Sequence, residues 1–156
     1  MEMPMLNASQ MMKKTFLTVS PDMGVEELAR LFLRQHVTGA VVVDKKSKLL
    51  GVVTESDLIA KEKNLHLPTV VSLFDAAIYL ESSEHFKKEL HRMLASKVAD
   101  IYTMNPVTIK PDTSLPDIAT IMTEDGVHFL PVMENGHAAG IVGKREIIRA
   151  LASTRG

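Results

Sequence analysis

The chain has 156 residues, enough for one ordinary domain or for two small units that share a core. Hydrophobic residues make up 46% and aromatic residues only 4%, so the predicted core consists mainly of aliphatic side chains and methionine. With 18 basic and 19 acidic residues the net charge is −1, which gives no overall attraction to nucleic acid, and the absence of Cys excludes disulfides and thiolate metal sites.

Location and chemistry are also constrained by what the chain lacks. No stretch approaches the ~18 apolar residues that a membrane span requires, and the N-terminal segment has no apolar run typical of signal peptides. The six His residues show no H-x-x-x-H or H-E-x-x-H spacing, and there is no Cys nucleophile, G-x-S-x-G elbow or glycine-rich phosphate loop. We therefore expect a cytoplasmic protein that is not an enzyme, with no metal site, no catalytic residue, and neither a membrane nor a nucleic acid as partner.

The elements predicted in chain order form one unit twice, each reading strand, helix, strand, strand, helix. In the first unit the strands are predicted at residues 16–19, 39–43 and 49–53. Ser20 or Asp22 is a suitable cap for the helix after the first strand, because both side chains accept hydrogen bonds from helical N–H groups. Thr54, directly after the third strand, begins the last helix of the unit.

The second unit repeats this order, with strands predicted at residues 107–109, 129–133 and 138–142. Its helices are predicted at 115–122 and from the last strand to near residue 152, and Asn135-Gly136 forms a hairpin turn that accepts positive φ at both positions. A shift of 90 residues superposes the apolar positions of the two units, and the shift becomes 89 beyond the hairpin. Because each unit of about 55 residues is too small to bury a core comfortably alone, the two are expected to pack together.

The segment between the two repeats resembles neither of them. We accordingly divide the chain into a first unit, a helical insertion and a second unit, at residues 1–62, 63–96 and 97–156. The spacing of apolar residues predicts helices at 70–80 and after Ser82 or Ser83. A lid or a dimer contact is one interpretation of this insertion, and additional cover for the core is the other.

The stretch GVVTESD carries the chemistry of the first unit. Gly51 allows another group to approach the strand closely. Thr54 lies where strand becomes helix, so its hydroxyl and the first free helical N–H groups suit a phosphate. Asp57 lies one helical turn later, and its carboxylate suits the vicinal hydroxyls of a ribose. A plain capping box, in which both side chains only satisfy the helix start, is the alternative that the stretch leaves open.

The ordered set TVSPD, VTGAVVVD and GVVTESD, followed by TIKPD, VHFLPVME and GIVGKRE, resembles a CBS domain pair of the small stand-alone bacterial type. The resemblance implies an α/β (α+β) fold in which two β-α-β-β-α units pack through their sheets around a pseudo-two-fold axis, with two clefts between them. In this family the clefts hold adenosine compounds such as AMP, ADP, ATP or S-adenosylmethionine. It implies a homodimeric regulatory sensor that changes shape with its nucleotide and acts on an unknown protein. A structural or dimerisation protein with degenerate clefts is the alternative.

By the same resemblance, the main cleft lies between the helix start of the first unit and the strand start of the second. The residues it implies there are Val53, Thr54, Ser56, Asp57, Ile101, Tyr102, Val127 and His128. His128 is expected near the α-phosphate of the nucleotide, and Ile101, Tyr102 and Val127 are expected to form an apolar wall against adenine. A partly buried His128 bonded to a carbonyl is the alternative for that residue.

The second cleft departs from the family pattern. Gly143 and Glu146 stand where the first unit has a Thr and an Asp, so one hydroxyl is missing and one carboxylate is longer by a methylene. Its remaining predicted residues are Val37, Thr38, Gly39 and Ala40 on one wall, with Lys144 and Arg145 at the helix start. These two cations favour a polyphosphate, or else are solvated surface charges. We expect this cleft to bind more weakly or to be empty.

Overall fold

The computed structural model describes residues 5–60 and 96–153 of the chain. These residues form two units of mixed α and β structure, which confirms the predicted fold class. The predicted insertion lies outside the described residues except for Ser96, and so do its expected helices. No helix within the two described ranges is long and apolar enough to cross a membrane.

The first unit begins with a short helix that the sequence pattern did not predict. Its elements are α1 (Ala8–Met11), β1 (Thr18–Val19), α2 (Val25–Gln35), β2 (Gly39–Val43), β3 (Leu49–Thr54) and α3, which is helical over the described residues 55–60. The predicted cap of α2 was wrong: Gly24 occupies the N-cap without a side-chain hydrogen bond. Ser20 instead accepts a hydrogen bond from the Asp22 N–H at 3.1 Å, within the turn that precedes the helix.

The second unit repeats the order of the first. It contains a 3₁₀ turn (Val98–Asp100), β4 (Thr103–Met104), α4 (Leu115–Glu124), β5 (Phe129–Glu134), β6 (His137–Gly143) and α5 (Lys144–Ser153). The predicted strand at 107–109 is reduced to a single parallel bridge between Ile109 and Val132, the counterpart of the β1–β2 pairing. Asn135 and Gly136 have φ angles of 53° and 81°, as the hairpin prediction required.

Each sheet is completed by the segment that precedes the other unit. In the first sheet, with strand order β1-β2-β3-β4, β4 lies antiparallel to β3 and Thr103 is opposite Val52. In the second unit Lys13 is opposite Ile141 of β6, with backbone hydrogen bonds of 2.8 and 3.0 Å in the two directions. The two pairings are related by shifts of 90 and 89 residues. The crossing of these segments brings residues 13–17 and 103–107 to the boundary between the units.

The short helix α1 also belongs spatially to the second unit. Asn7 caps it, and the side chains of Asn7 and Gln10 each accept a hydrogen bond from the other residue's backbone N–H. The Ala8 N–H donates to the Thr113 carbonyl at 2.8 Å, as the Val98 N–H donates to the Met23 carbonyl at 2.8 Å in the first unit. The N-terminal segment is thus held by the second unit along its described length.

Three clusters of buried side chains form the core. Two lie within the units, between each sheet and its helices, and the third joins the sheets through Val41, Val52, Phe129 and Ile141. Successive residues of a strand point to opposite faces, so Ala40 and Val42 face the core of the first unit while Val41 faces the other sheet. Burial on both faces explains why residues 39–43 are uniformly apolar.

Candidate functional site

A cavity of about 760 Å³ opens between the two units. Both units contribute equivalent positions to it, namely their strand starts, their helix starts and the two crossing segments. These positions are residues 36–39, 54–56, 126–129 and 143–146, together with residues 13–17 without Lys14 and residues 103–107 without Met104. The two clefts expected from the sequence are therefore parts of one cavity, because both helix starts face the same opening.

At the first helix start, Asp57 holds the end of β3. Its Oδ2 accepts hydrogen bonds from the Thr54 backbone N–H at 2.9 Å and from the Thr54 hydroxyl at 3.3 Å. These bonds supply the carboxylate half of the capping box considered in the sequence. Among the described residues, the other oxygen, Oδ1, has no hydrogen-bond partner. Thr54 and Ser56 line the cavity, whereas the half-buried Asp57 lies behind them.

At the second helix start, Glu146 makes the equivalent bond. Its Oε1 accepts from the Gly143 N–H at 3.0 Å, so the longer side chain reaches the same backbone group as Asp57 does. Glu146 is only 6% exposed and lines the cavity. A Cβ atom at Gly143 would lie 3.4 Å from this Oε1 and 3.4 Å from the His128 carbonyl oxygen. The second site is thus a well-packed polar turn.

The two strand starts form the remaining part of the cavity. Val37, Thr38 and Gly39 line it in the first unit, and Val127, His128 and Phe129 do so in the second. Within each unit the strand start is bound to the helix start: the Glu55 N–H donates to the Thr38 carbonyl at 2.9 Å, and Phe129 pairs with Gly143. The Phe129 ring also crosses to the other unit, where it contacts Gly39. His128 is exposed at the cavity edge.

The structure does not bring five of the residues predicted from the sequence to the cavity: Asp57, which lies behind Thr54 and Ser56, and Val53, Ala40, Ile101 and Tyr102. Val53 and Ala40 are completely buried in the core of the first unit, because alternation along their strands turns them toward the helices. Ile101 and Tyr102 pack against the same core, since the crossing segment runs beneath β3 before it reaches the boundary. The apolar lining of the cavity includes Val37, Val107 and Val127 instead.

Sequence reasoning did not identify the residues supplied by the crossing segments. Lys13, Phe16 and Leu17 line the cavity from one segment, and Asn105 and Val107 from the other. The 90-residue shift relates these two segments in the sequence, but it gives no information on which sheet each one joins. Arg149, which also lines the cavity, lies five residues after Lys144 and was recognisable only as part of the cationic face of the last helix.

The charges around the cavity are mostly uncompensated. Within the described parts of the chain, the one ion pair joins Arg30 to Glu26 at 3.8 Å, on the exposed face of α2. No group of three or more potential metal-binding side chains occurs in residues 5–60 and 96–153. The hydrogen bond from the Lys48 backbone N–H lowers the pKa of Asp44, in the β2–β3 turn. Asp44 is not among the residues that line the cavity.

Two small β-α-β-β-α units that pack through their sheets and enclose a cavity of ligand size define a tandem-repeat binding module. The family model described as "CBS domain" matches residues 8–64 and residues 98–153. The chain therefore belongs to the CBS domain family and contains a tandem pair of these domains, which confirms the resemblance drawn from the sequence.

Several relatives match nearly the whole chain. The uncharacterized protein MJ1426 of Methanocaldococcus jannaschii is 32% identical over 148 residues, which are 90% of this chain and 88% of that protein. The chloroplastic CBS domain-containing protein CBSX1 of Arabidopsis thaliana is 29% identical over 147 residues, 88% of this chain. The match spans 60% of the length of CBSX1.

Solved structures share the fold. The crystal structure of CBSX2 in complex with AMP superposes with a TM-score of 0.73 and 24% identity, over 96% of this chain and 98% of that one. The CBS domain pair of MJ0100 in complex with 5′-methylthioadenosine and S-adenosyl-L-methionine gives a TM-score of 0.70 at 18% identity, over 97% and 99% of the two chains. These similarities establish the architecture.

Proposed function

We propose that this CBS pair is a regulatory module that binds an adenosine compound (AMP, ADP, ATP or S-adenosylmethionine) between its two units and does not turn it over. The observation that carries the proposal is the single cavity lined by both helix starts and both strand starts. CBSX2 with AMP and MJ0100 with 5′-methylthioadenosine and S-adenosyl-L-methionine support the ligand class, because each combines this fold with an adenosine compound.

We call the part of the cavity at the first helix start, Thr54–Ser56, its first half, and the part at the second helix start, Gly143–Glu146, its second half. In this proposal the nucleoside lies in the first half. Asp57 does not itself line the cavity, but its Oδ1 has no partner among the described residues. In the complex this oxygen accepts hydrogen bonds from ribose hydroxyls that reach past Thr54 and Ser56, while Oδ2 retains the Thr54 N–H. Thr54 and Ser56 line the cavity at the same helix start, and Val37 and Val127 provide apolar contacts from opposite units. A ligand in contact with both units has a different affinity for open and closed arrangements, which is the condition for a ligand-dependent change of shape.

Adenosine compounds are expected to raise the melting temperature of the purified protein in a concentration-dependent way, because a ligand that binds the folded state stabilises it by mass action. A panel of AMP, ADP, ATP, S-adenosylmethionine and NAD, measured by differential scanning fluorimetry, tests this. Guanosine nucleotides are the matched control for the base. The absence of a shift with every adenosine compound, or their hydrolysis by the pure protein, would refute the proposal.

We further propose that the module is a homodimer that associates through α3 and α5. Ile59 and Ile148 occupy equivalent positions of these two helices, 89 residues apart, and are 70% and 63% exposed. Large apolar side chains at matched surface positions are typical of an interface with a second copy. The same observation supports the alternative function, a dimerisation protein that binds no nucleotide, and the fluorimetry panel distinguishes the two.

The double substitution of Ile59→Asp and Ile148→Asp is expected to convert the dimer to a folded monomer, because two unpaired charges per subunit would be buried in the interface. Light scattering after size exclusion measures the mass, and circular dichroism verifies the fold. Leu33→Asp is the control, since Leu33 is 77% exposed on a different helix, α2. A wild-type protein that is monomeric at micromolar concentration, or a double variant that stays dimeric, would exclude this interface.

A further inference from the structure

Four cationic side chains line the second half of the cavity: Lys13, Lys144, Arg145 and Arg149. Three of them belong to α5, and Lys13 is joined to the same half by its paired backbone hydrogen bonds to Ile141. None of the four forms an ion pair with any carboxylate of residues 5–60 or 96–153. One wall of the cavity therefore carries concentrated positive charge without a partner from the described protein.

This arrangement is unfavourable for the ligand-free protein. Lys144 and Arg145 lie in the first turn of α5, where the helix macrodipole disfavours positive charge. Arg145 and Arg149 are four residues apart on one helix, a spacing at which like charges repel. Local helix stability therefore does not account for these residues, and an anion bound between them would remove both penalties.

The fold does not require these cations either. The internal repeat places Glu55, Ser56 and Ala60 of the first unit at the positions of Lys144, Arg145 and Arg149. Thr103, which pairs with Val52, is likewise the counterpart of Lys13, which pairs with Ile141. The four equivalent positions are thus all cationic in the second half of the cavity. In the first half they comprise one acidic residue, Glu55, and no cation. The two ends of the cavity therefore differ in charge, with hydroxyl-bearing residues at one end and cations at the other.

We propose that the cavity selects ligands with two or more linked phosphates, and that Lys13, Lys144, Arg145 and Arg149 bind the terminal phosphates. This rests on the proposed function and narrows its ligand to a nucleoside di- or triphosphate. A monophosphate held at Thr54 and Asp57 would engage the cationic wall least, and the positive sulfonium of S-adenosylmethionine would be repelled by it. The guanidinium groups suit phosphate in particular, because each donates two parallel hydrogen bonds.

Titration calorimetry on the full chain tests this selectivity, at low ionic strength and without divalent metal ions. ATP is expected to bind at least about tenfold more tightly than AMP. Inorganic tripolyphosphate is expected to bind alone and to compete with ATP, and its affinity should fall as salt is added, since ions screen the interaction. Equal affinities for AMP and ATP would overturn the inference and leave the proposed function standing.

Two substitutions test whether the four cationic side chains cause the preference for ATP over AMP. Arg149→Gln and Lys13→Gln are each expected to weaken ATP binding about five- to tenfold and AMP binding by less than about twofold. The matched controls are Arg34→Gln on α2 and Lys14→Gln, exposed residues that do not line the cavity. Arg149→Gln should also leave the melting temperature of the ligand-free protein unchanged or raise it, whereas a structural role would lower it.

The possible outcomes separate the two proposals. Losses of equal size for AMP and ATP in the Arg149 variant, or an equal loss in the Arg34 control, would overturn the assignment of these residues. Binding of tripolyphosphate without binding of any adenosine compound would retain the anion wall and refute the proposed function. Binding of neither would refute both.

Discussion

Replacing Gly51 with alanine is expected to lower the free energy of unfolding by about 3 kcal/mol, the upper range for overpacking in a core. A Cβ atom at this position would lie 2.1 Å from the Thr103 carbonyl oxygen and 2.6 Å from Cδ2 of the Tyr102 ring. The first of these is a backbone atom of the crossing strand β4, so the clash cannot be relieved by a rotamer change. Relief requires β4 to move away from β3, which breaks the pairing that joins the second unit's leading segment to the first sheet.

Urea unfolding followed by circular dichroism measures this loss. Gly24→Ala is the matched control, because a Cβ atom there meets nothing within 4 Å. Its expected cost is about 0.5–1 kcal/mol, the difference between glycine and alanine at a helix N-cap. If the two variants lost similar stability, the close approach of β4 to Gly51 would not be a determinant of the fold.

Replacing Asp57 with alanine is expected to weaken nucleotide binding about ten- to a hundredfold, equivalent to roughly 1.5–3 kcal/mol for a hydrogen bond to a charged acceptor. The side chain has two functions in the proposed complex: Oδ2 holds the Thr54 N–H, and Oδ1 accepts from the ribose. Its removal therefore eliminates a ligand contact and the bond that orients the neighbouring hydroxyl. Calorimetry with ATP measures the change, at a temperature where circular dichroism verifies that the variant is folded.

Glu146→Ala is the matched comparison, since Glu146 makes the equivalent hydrogen bond to Gly143. Its loss should reduce affinity less, because it removes a negative charge from the half of the cavity that we assign to phosphate. A smaller loss at Asp57 than at Glu146 would place the ribose in the second half of the cavity. The assignment of the two halves would then have to be exchanged.

The repeat and most element boundaries could be predicted from the sequence because they depend on local chemistry. The strand predicted at 39–43 is β2 with the same bounds, since a continuous apolar run of this length forms a strand buried on both faces. The Asn135-Gly136 turn adopts the positive φ angles for which these residues are suited. The Thr54–Asp57 pair lies at a strand–helix junction, as its spacing predicted.

The predictions that were wrong concern the ends of helices, where a local capping residue competes with contacts from residues far away in the sequence. Gly24 caps α2 in place of Ser20 or Asp22, and the Val25 N–H that follows it donates to the Ser96 carbonyl at 2.9 Å, 71 residues further along the chain. The sequence pattern does not predict helix α1, although Asn7 and Gln10 form a capping box. One turn of helix is too short for hydrophobic periodicity to be recognised, and its stability comes from packing on the second unit.

The sequence by itself determined that the chain contains two similar units, where their strands lie, and which polar residues stand at the helix starts. Only the tertiary structure decided which side chains share the cavity. Lys13 reaches the second half because its segment crosses to β6, and the opposite crossing carries Tyr102 against Gly51 and away from the cavity. Local preferences act over a few residues. The pairing of Val52 with Thr103, in contrast, spans 51 positions of the sequence, and that of Lys13 with Ile141 spans more than a hundred. These long-range pairings form because they allow the apolar faces of both sheets to be buried together, and no single segment of the sequence contains that information.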